Sequence, residues 1–567
     1  APVYDYSSAW EICLCASQNS IDLDWVEFDV RDLRFQIRSD HKESGNMCEH
    51  FDWRPKYVDP VPLSIDSNLY DTDEEYREWL HHVEGSKKRM YKQEYDEHLS
   101  KVEVYVDDQF VTSMETSEKS DETLIKRDAV PRPIHRVDRT LCVFLGSQVY
   151  LATKKLYERH TFLPFSSKNG VIVTLTFGSA YNSKQLSEWF DEAIAYSRTC
   201  PNSDTVKHYF HIIVAGDDVL VISKAYDTGL FKVIEGDISQ CDHSIRLAAL
   251  EFEWSMLYMY GVSPHRLNIL SANSRSNLVV RNNKSELLVT VRRGHERNTG
   301  GVDTTVGNSL CVGYAWMYTL HKISTRKYTG PIDHNIESAI ITHLSYKFGM
   351  SVKTQIHDNS TSDCHANFSG TFLKGAWWHA RVSQYQNIFE DDTDGCETWW
   401  GPLPSRLIKL SKVMTKPSVI YRQLLKDHKE SKHPGFGMSL IESWLCAISM
   451  VKSMRMFILI PPIYQWFDAL IKDYNLLRTL PGNEWLPTVD EIQSRQEDIK
   501  EIYKPKGFKI CPRDFLDFCP CWVDKFAKRY DCSTDDVLSW SEQLQKIRPG
   551  TFAVHPVWEK LAQTDYA

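Results

Sequence analysis

Residues 208–223 read HYFHIIVAGDDVLVIS, two β-rich arms around Gly216, Asp217 and Asp218. Asp is a poor strand residue that turns tolerate, so the pattern predicts a hairpin with two adjacent carboxylates at its tip. Carboxylates that project together repel each other, and they make most sense with a divalent cation between them and a third ligand. A chance Gly-Asp-Asp somewhere in a chain of this length has a probability of roughly one in ten, so the triplet counts only with its context. That context is IEGDISQCDHSI (234–245), where Asp237 follows a β-rich run and Asp242 comes five residues later at the start of a helix. Alone, Asp242 reads equally well as a helix N-cap. Asp217, Asp218 and Asp237 together suit a two-metal site, whose ions lie roughly 3.5–4 Å apart, activating one oxygen and stabilising another as it leaves.

A third segment, RNTGGVDTTVGNSL (297–310), has glycines at 300 and 301 that let a backbone approach a ligand closely. Thr304 and Asn308 lie four apart on the helix that follows, so they share a face and can hydrogen-bond a hydroxyl. By itself this segment is equally a glycine-started helix with polar residues facing water.

The elements that must position these groups follow from periodicity. Strand-like runs are expected at 209–215, 219–223 and 230–236, with a helix over 243–261. NLVVRNNKSELLVTVRR (277–293) predicts a hairpin turning at Asn282-Asn283-Lys284, and 304–322 a buried helix. Upstream, 71–107 has an acidic start and later basic residues, which suits a helix and then a strand. TSMETSEKSDETL (112–124) is polar and predicts a mobile loop. Beyond about 376 the chain is Trp-rich and mostly helical in pattern.

The 567 residues are too many for one core, and 42% hydrophobic with 25% charged residues is ordinary for a soluble globular protein. A net charge of −10 argues against coating nucleic acid by bulk charge, though not against a channel lined with Lys and Arg. The 14 cysteines are scattered; Cys511, Cys519, Cys521 and Cys532 lack paired zinc-ligand spacing, so reduced, buried thiols in an intracellular setting are expected. SMRMFILIPPIYQWF (453–467) is interrupted by Pro461 and Pro462, so no membrane segment is expected. No signal peptide is visible, and the lack of an initial Met suggests a chain that begins inside a longer product. Sequences of the types G-x₄-G-K-[ST], H-E-x-x-H and G-x-S-x-G are absent.

Taken together, the three segments resemble motifs C, A and B of the palm domain of viral RNA-dependent RNA polymerases. Motif A there is Asp-x₄-Asp, motif B is Ser/Thr-Gly-x₃-Thr-x₃-Asn, and motif C is Gly-Asp-Asp. Thr299-Gly300, Thr304 and Asn308 match the B spacing at every position. Most of these enzymes run A, B, C; this chain runs C, A, B, which resembles the permuted polymerases of birnaviruses and permutotetraviruses. Gly-Asp-Asp points to the permutotetravirus type, since birnaviruses usually carry Ala-Asp-Asn. IKRDAVPRPIHRVDR (125–139) resembles motif F, with Lys126, Arg127, Arg132, Arg136 and Arg139 as its cations. FGMSVKTQIHD (348–358) resembles motif D, where Lys353 and His357 compete for the place of general acid, and Phe372-Leu373-Lys374 resembles motif E.

The resemblance implies an α+β right hand with an antiparallel palm sheet in permuted order C-A-B. Its parts are an N-terminal extension (1–60), fingers (61–203), palm (204–261), a fingers insertion (262–298), palm again (299–375) and a helical thumb with C-terminal region (376–567). It implies template-directed RNA synthesis from ribonucleoside triphosphates with two Mg²⁺ or Mn²⁺ ions on Asp217, Asp218 and Asp237. Asp242, Thr304 and Asn308 are the implied ribose contacts, Lys126, Arg127, Arg132 and Arg136 the triphosphate contacts, and Thr299, Gly300 and Gly301 the motif B loop. No bulky aromatic stands near Asp242 to exclude a 2′-hydroxyl, which favours ribonucleotides. Implied partners are template and nascent RNA, with a homodimer and other viral proteins open. The implied location is the host-cell cytoplasm, in a replication complex, or the virion. Birnavirus-type relatives can prime from their own N-terminal region, where Tyr4, Tyr6, Ser7 and Ser8 offer hydroxyls. A different metal-dependent nucleotidyl transferase or nuclease, and a non-catalytic RNA-binding protein, are the alternatives.

Overall fold

The computed structural model describes residues 63–66, 73–83, 85–99, 103–106, 113–118, 133–160, 164–166, 171–181, 183–199, 208–225, 231–281, 287–291, 294–326, 334–359, 377–381, 398–402, 440–453, 460–494, 522–549 and 554–565, with 370, 372, 410 and 457. The expected N-terminal extension, with Tyr4, Tyr6, Ser7 and Ser8, lies outside these residues, as do Lys126, Arg127, Arg132, Leu373 and Lys374.

In chain order the elements are β1 (Leu63–Asp66), α1 (Asp73–His82), α2 (Gly85–Leu99), β2 (Glu103–Val106), β3 (Ser113–Glu118), β4 (Pro133–Arg136), α3 (Arg139–Arg159), β5 (Pro164–Ser166) and β6 (Val171–Phe177). Then come α4 (Ser183–Thr199), β7 (His208–Ala215), β8 (Asp218–Ala225), β9 (Phe231–Ile238), α5 (Cys241–Ser244), α6 (Leu247–Met259), α7 (Pro264–Ser274), β10 (Asn277–Arg281), β11 (Leu287–Val291), α8 (Thr304–Arg326), α9 (His334–Phe348) and β12 (Val352–Asn359). The remainder comprises β13 (Trp377–Arg381), β14 (Thr398–Pro402), α10 (Leu440–Ser453), α11 (Pro461–Arg478), α12 (Val489–Ser494), α13 (Trp522–Tyr530), α14 (Thr534–Lys546) and α15 (Pro556–Asp565). The class is mixed α+β.

The chain divides into two compact units, one within residues 1–180 and 190–364, the other within 181–189 and 365–567. The first is organised by a six-stranded sheet in the order β12-β9-β8-β7-β6-β5. This sheet corrects the expectation of an antiparallel one, because β6 and β7 pair in parallel. The physical reason is the connection. Parallel neighbours need a crossover rather than a tight turn, and α4 lies in the chain between these two strands.

All eight residues of β7 are buried, so both faces of the sheet's centre are covered. That explains why HYFHIIVA and VLVIS read as nearly continuous apolar runs rather than as alternation. On one face Val214, Val221 and Ile234 join the main core with residues of α6, α8 and α9, and the Trp316 ring lies against Gly236 of β9. The opposite face carries Ile213, Leu220, Ile222 and Val233, all buried, and a neutral His211. Burial pushes the His211 imidazole down to about 3, and its Nδ1 lies 3.0 Å from the Thr174 hydroxyl.

A second sheet runs β11-β10-β3-β4, with β10 parallel to β3. Here 113–118 departs from the expected mobile loop over 112–124. Met114 is buried, and the polar strand is paired on both edges, so pairing outweighs its polar composition. The predicted hairpin of β10 and β11 is present and antiparallel, while its turn falls outside the described residues. The expected helix then strand over 71–107 is two helices, α1 and α2, before β2.

The second unit has its own core, including Trp444, Trp466, Phe467 and Trp540. Pro461 and Pro462, which interrupt the apolar run in sequence, occupy the first turn of α11, where a missing N–H costs nothing. Ser533 and Asp536 form a capping box at the start of α14. The mostly helical expectation for this region has one exception among described residues, the antiparallel β13–β14 pair. Among the described residues no helix is long and apolar enough to cross a membrane. Cys142, Cys241 and Cys311 are buried free thiols.

Candidate active site

The β7–β8 hairpin closes with Ala215 paired to Asp218, leaving Gly216 and Asp217 as a two-residue turn. Gly216 has φ of 67°, a left-handed conformation that glycine reaches without a Cβ penalty, at the first turn position of a hairpin type that demands it. The turn is pinned from two sides. The Gly216 N–H donates to the Ser309 hydroxyl of α8 at 2.9 Å, and the Ile238 N–H donates to the Asp217 carbonyl at 3.1 Å.

Asp218 is thus a strand residue rather than a tip residue, and it stands directly opposite Asp237 of β9. On the other side of Asp237, β12 brings Lys353 into the same row. Directly paired residues share one face of a sheet, so Asp218, Asp237 and Lys353 form a line of two carboxylates and one ammonium. Asp217 lies at the adjoining turn. Its charge and that of Asp242 both act on the buried Cys241 thiol, whose pKa burial already pushes well above the ordinary value.

The two candidates for general acid separate clearly. Lys353 is exposed beside Asp237, whereas His357 is buried, with Nε2 2.9 Å from Glu235 Oε2. His357 is therefore engaged in a hydrogen-bond contact four residues away from the carboxylate row.

Asp242 sits on the single turn α5, and α8 brings Asn308 to it: the Asn308 amide Nδ2 donates to Asp242 Oδ1 at 2.8 Å. Thr304 begins α8, and its hydroxyl donates to the Asn298 carbonyl at 2.6 Å, closing the loop that precedes the helix. In that loop the Thr299 hydroxyl accepts from the His135 N–H of β4 at 3.1 Å. Gly300 lies so close to β4 that a Cβ would collide with the His135 carbonyl oxygen. Gly301 is tight as well, against the Asp303 carboxylate. Gly300→Ala must therefore shift either the loop or β4. Since backbone cannot rotate away as a side chain can, a loss of about 1–3 kcal/mol is expected, measured as a lowered urea midpoint.

Of the expected cations, Arg136 closes β4 and is exposed, and Arg139 opens α3 and is exposed. Asp138 is the N-cap of α3, accepting from the Thr140 N–H at 2.9 Å. Phe372 is buried and belongs to the second unit.

Three residues that the sequence did not single out complete the site. Arg297 is fully enclosed; its Nη1 donates to Glu253 Oε1 at 3.0 Å and to Asp303 Oδ2 at 2.9 Å, while Nη2 bonds Glu253 Oε2. Its Nε donates to Asn308 Oδ1 at 3.0 Å. Burial pushes the Glu253 carboxyl up while the Arg297 guanidinium pulls it back. One signal was available: Glu253 is one of two acids in a mostly apolar helix, LAALEFEWSMLYM, and an acid on a buried face needs a buried partner.

Among the described residues no three His, Cys, Asp or Glu side chains form a ready cage for a metal ion. The donors present are hard carboxylate oxygens. They fit Mg²⁺ or Mn²⁺, of which Mg²⁺ typically takes one or two carboxylates and completes its shell with water and substrate phosphates. No protein-family model matches this chain, and no curated protein matches it.

Proposed function

We propose that this chain is a template-directed RNA polymerase that joins ribonucleoside triphosphates on an RNA template, of the permuted type resembling the permutotetravirus enzymes, serving replication and transcription of a viral RNA genome. One observation carries the reading. Three segments in the order C, A, B converge at one end of one sheet, tied by the Asn308–Asp242 bond across 66 residues and the Gly216–Ser309 bond across 93. Random matches to short patterns have no reason to meet in space.

Asp217, Asp218 and Asp237 are the residues that would hold two Mg²⁺ or Mn²⁺ ions. When bound, such ions lower the pKa of a primer 3′-hydroxyl and neutralise the departing pyrophosphate. The chain's own groups do the rest. Lys353, exposed in the carboxylate row, donates a proton to the leaving pyrophosphate oxygen, a task for which His357 is misplaced by its engagement with Glu235. Arg136, with Lys126, Arg127 and Arg132, clamps the triphosphate by charge-assisted hydrogen bonds. Thr304 supports the motif B loop, and the Asp242–Asn308 pair meets the ribose hydroxyls. Fingers, palm and thumb are the corresponding names for the parts, with β7, β8, β9 and β12 of the six-stranded sheet as the palm strands. Template and nascent RNA are the partners, and the host-cell cytoplasm or virion the place.

Asp242→Ala and Asn308→Ala test the sugar assignment. Each is expected to cut the preference for ribo- over deoxyribonucleotides at least about tenfold, because a site built around a hydroxyl discriminates through the polar groups it would leave unpaired. Competition between ATP and 2′-deoxyATP reads it directly. A preference unchanged in both variants refutes the assignment.

A further inference from the structure

We propose that Arg297 is a positioning residue for sugar recognition, fixing which way the Asn308 amide faces; this rests on the polymerase reading above. An Asn side chain has two orientations related by a flip, with oxygen and nitrogen exchanged. Arginine can only donate, so its Nε–H, 3.0 Å from Asn308, must meet the amide oxygen. That leaves the NH₂ turned to Asp242 Oδ1, an acceptor, at 2.8 Å. In the flipped amide, N–H would face N–H and oxygen would face oxygen. The relay Arg297–Asn308–Asp242 therefore has one polarity, and the second amide hydrogen of Asn308 is held in a defined direction for a ligand oxygen.

Arg297 can impose this because it cannot itself move. Glu253 grips its two terminal nitrogens, Asp303 takes one of them as well, and its backbone N–H donates to the Ile245 carbonyl at 3.3 Å. Only a planar fork reaches two carboxylates and an amide at once; a lysine ammonium is a single point. Space for the fork comes from Gly307, immediately before Asn308. A Cβ there would run into Glu253 Oε2 and Arg297 Nη2. Three side chains with no direct part in the chemistry and one glycine thus set the geometry of a residue that has one.

A merely structural ion pair would affect stability without changing the choice between sugars. The test is therefore calorimetric binding of ATP and 2′-deoxyATP to the full chain with an RNA template-primer and Mg²⁺, alongside a melting curve for every variant. Arg297→Lys keeps the charge but loses the fork, and Gly307→Ala keeps every charge but wedges the pair apart. If Arg297→Lys fails to fold, Gly307→Ala carries the test alone. Each folded variant is expected to lose about tenfold of the ATP preference, the worth of one well-placed hydrogen bond. Asp242→Ala added to either should cost less than it does in the wild type, since both act through one relay. A wild type that prefers ATP, with variants that keep the full preference, overturns the role of Arg297 and leaves the polymerase reading standing. A wild type blind to the 2′-hydroxyl overturns both.

Discussion

Asp237→Asn is expected to lower RNA-templated ribonucleotide incorporation by roughly 10³-fold, the scale of several kcal/mol of lost charge stabilisation. The substitution keeps the shape of the side chain in β9 and removes only its charge. Asp237 is the middle member of the row, between Asp218 and Lys353, so it is the carboxylate that both neighbours adjust to. The loss should not come from unfolding. Like charges set directly opposite in antiparallel strands are destabilising, and Asp218→Asn relieves that repulsion while leaving Lys353 beside Asp237. A melting temperature higher by about 1–3 °C is expected for Asp218→Asn, together with lost activity. Stability sacrificed at a site is a mark of function there. An Asp237→Asn protein within about tenfold of wild-type incorporation would contradict the catalytic role of the row.

Glu253→Ala should produce the largest loss of stability, about 3 kcal/mol or more, because it strands a buried guanidinium. Arg297 would keep Asp303 as a carboxylate partner, but two of its buried terminal N–H groups would lose theirs. A urea titration measures the effect. Glu253→Gln should cost less than Glu253→Ala, since the amide oxygen still accepts from one guanidinium nitrogen and no cavity opens. Equal midpoints for wild type and Glu253→Ala would show that the Arg297 cluster contributes nothing to holding α6 and α8 together.

The candidate site residues were more legible in the sequence than the sheet that joins them. Asp217, Asp218, Asp237, Asp242 and Asn308 stood out through their joint spacing, since each alone is an ordinary turn, cap or helix residue. Their meeting is a property of strand neighbours: β8 lies between β7 and β9, and β12 reaches Asp237 from more than a hundred residues downstream. No local pattern shows which strands become neighbours. The parallel β6–β7 pair was missed for that reason, and β3 was missed because SMETSE is polar and acquires its strand state from β4 and β10 on either side. The choice between Lys353 and His357 was undecidable from spacing, because both lie on the same face of β12; they differ in exposure, in the strand residue each faces and in the His357–Glu235 contact. Arg297 was overlooked since an arginine before a glycine loop looks solvent-bound. Its burial depends on Glu253, 44 residues earlier in the chain.

The most direct test of the central claim is incorporation of labelled ribonucleotides on a defined RNA template with Mg²⁺ or Mn²⁺, wild type beside Asp217→Ala. The account predicts a template-complementary RNA product from the wild type, refusal of deoxyribonucleotides, and no product from the variant. Equal product from the two proteins would contradict it, because the hairpin that opens the site would then play no part in the chemistry.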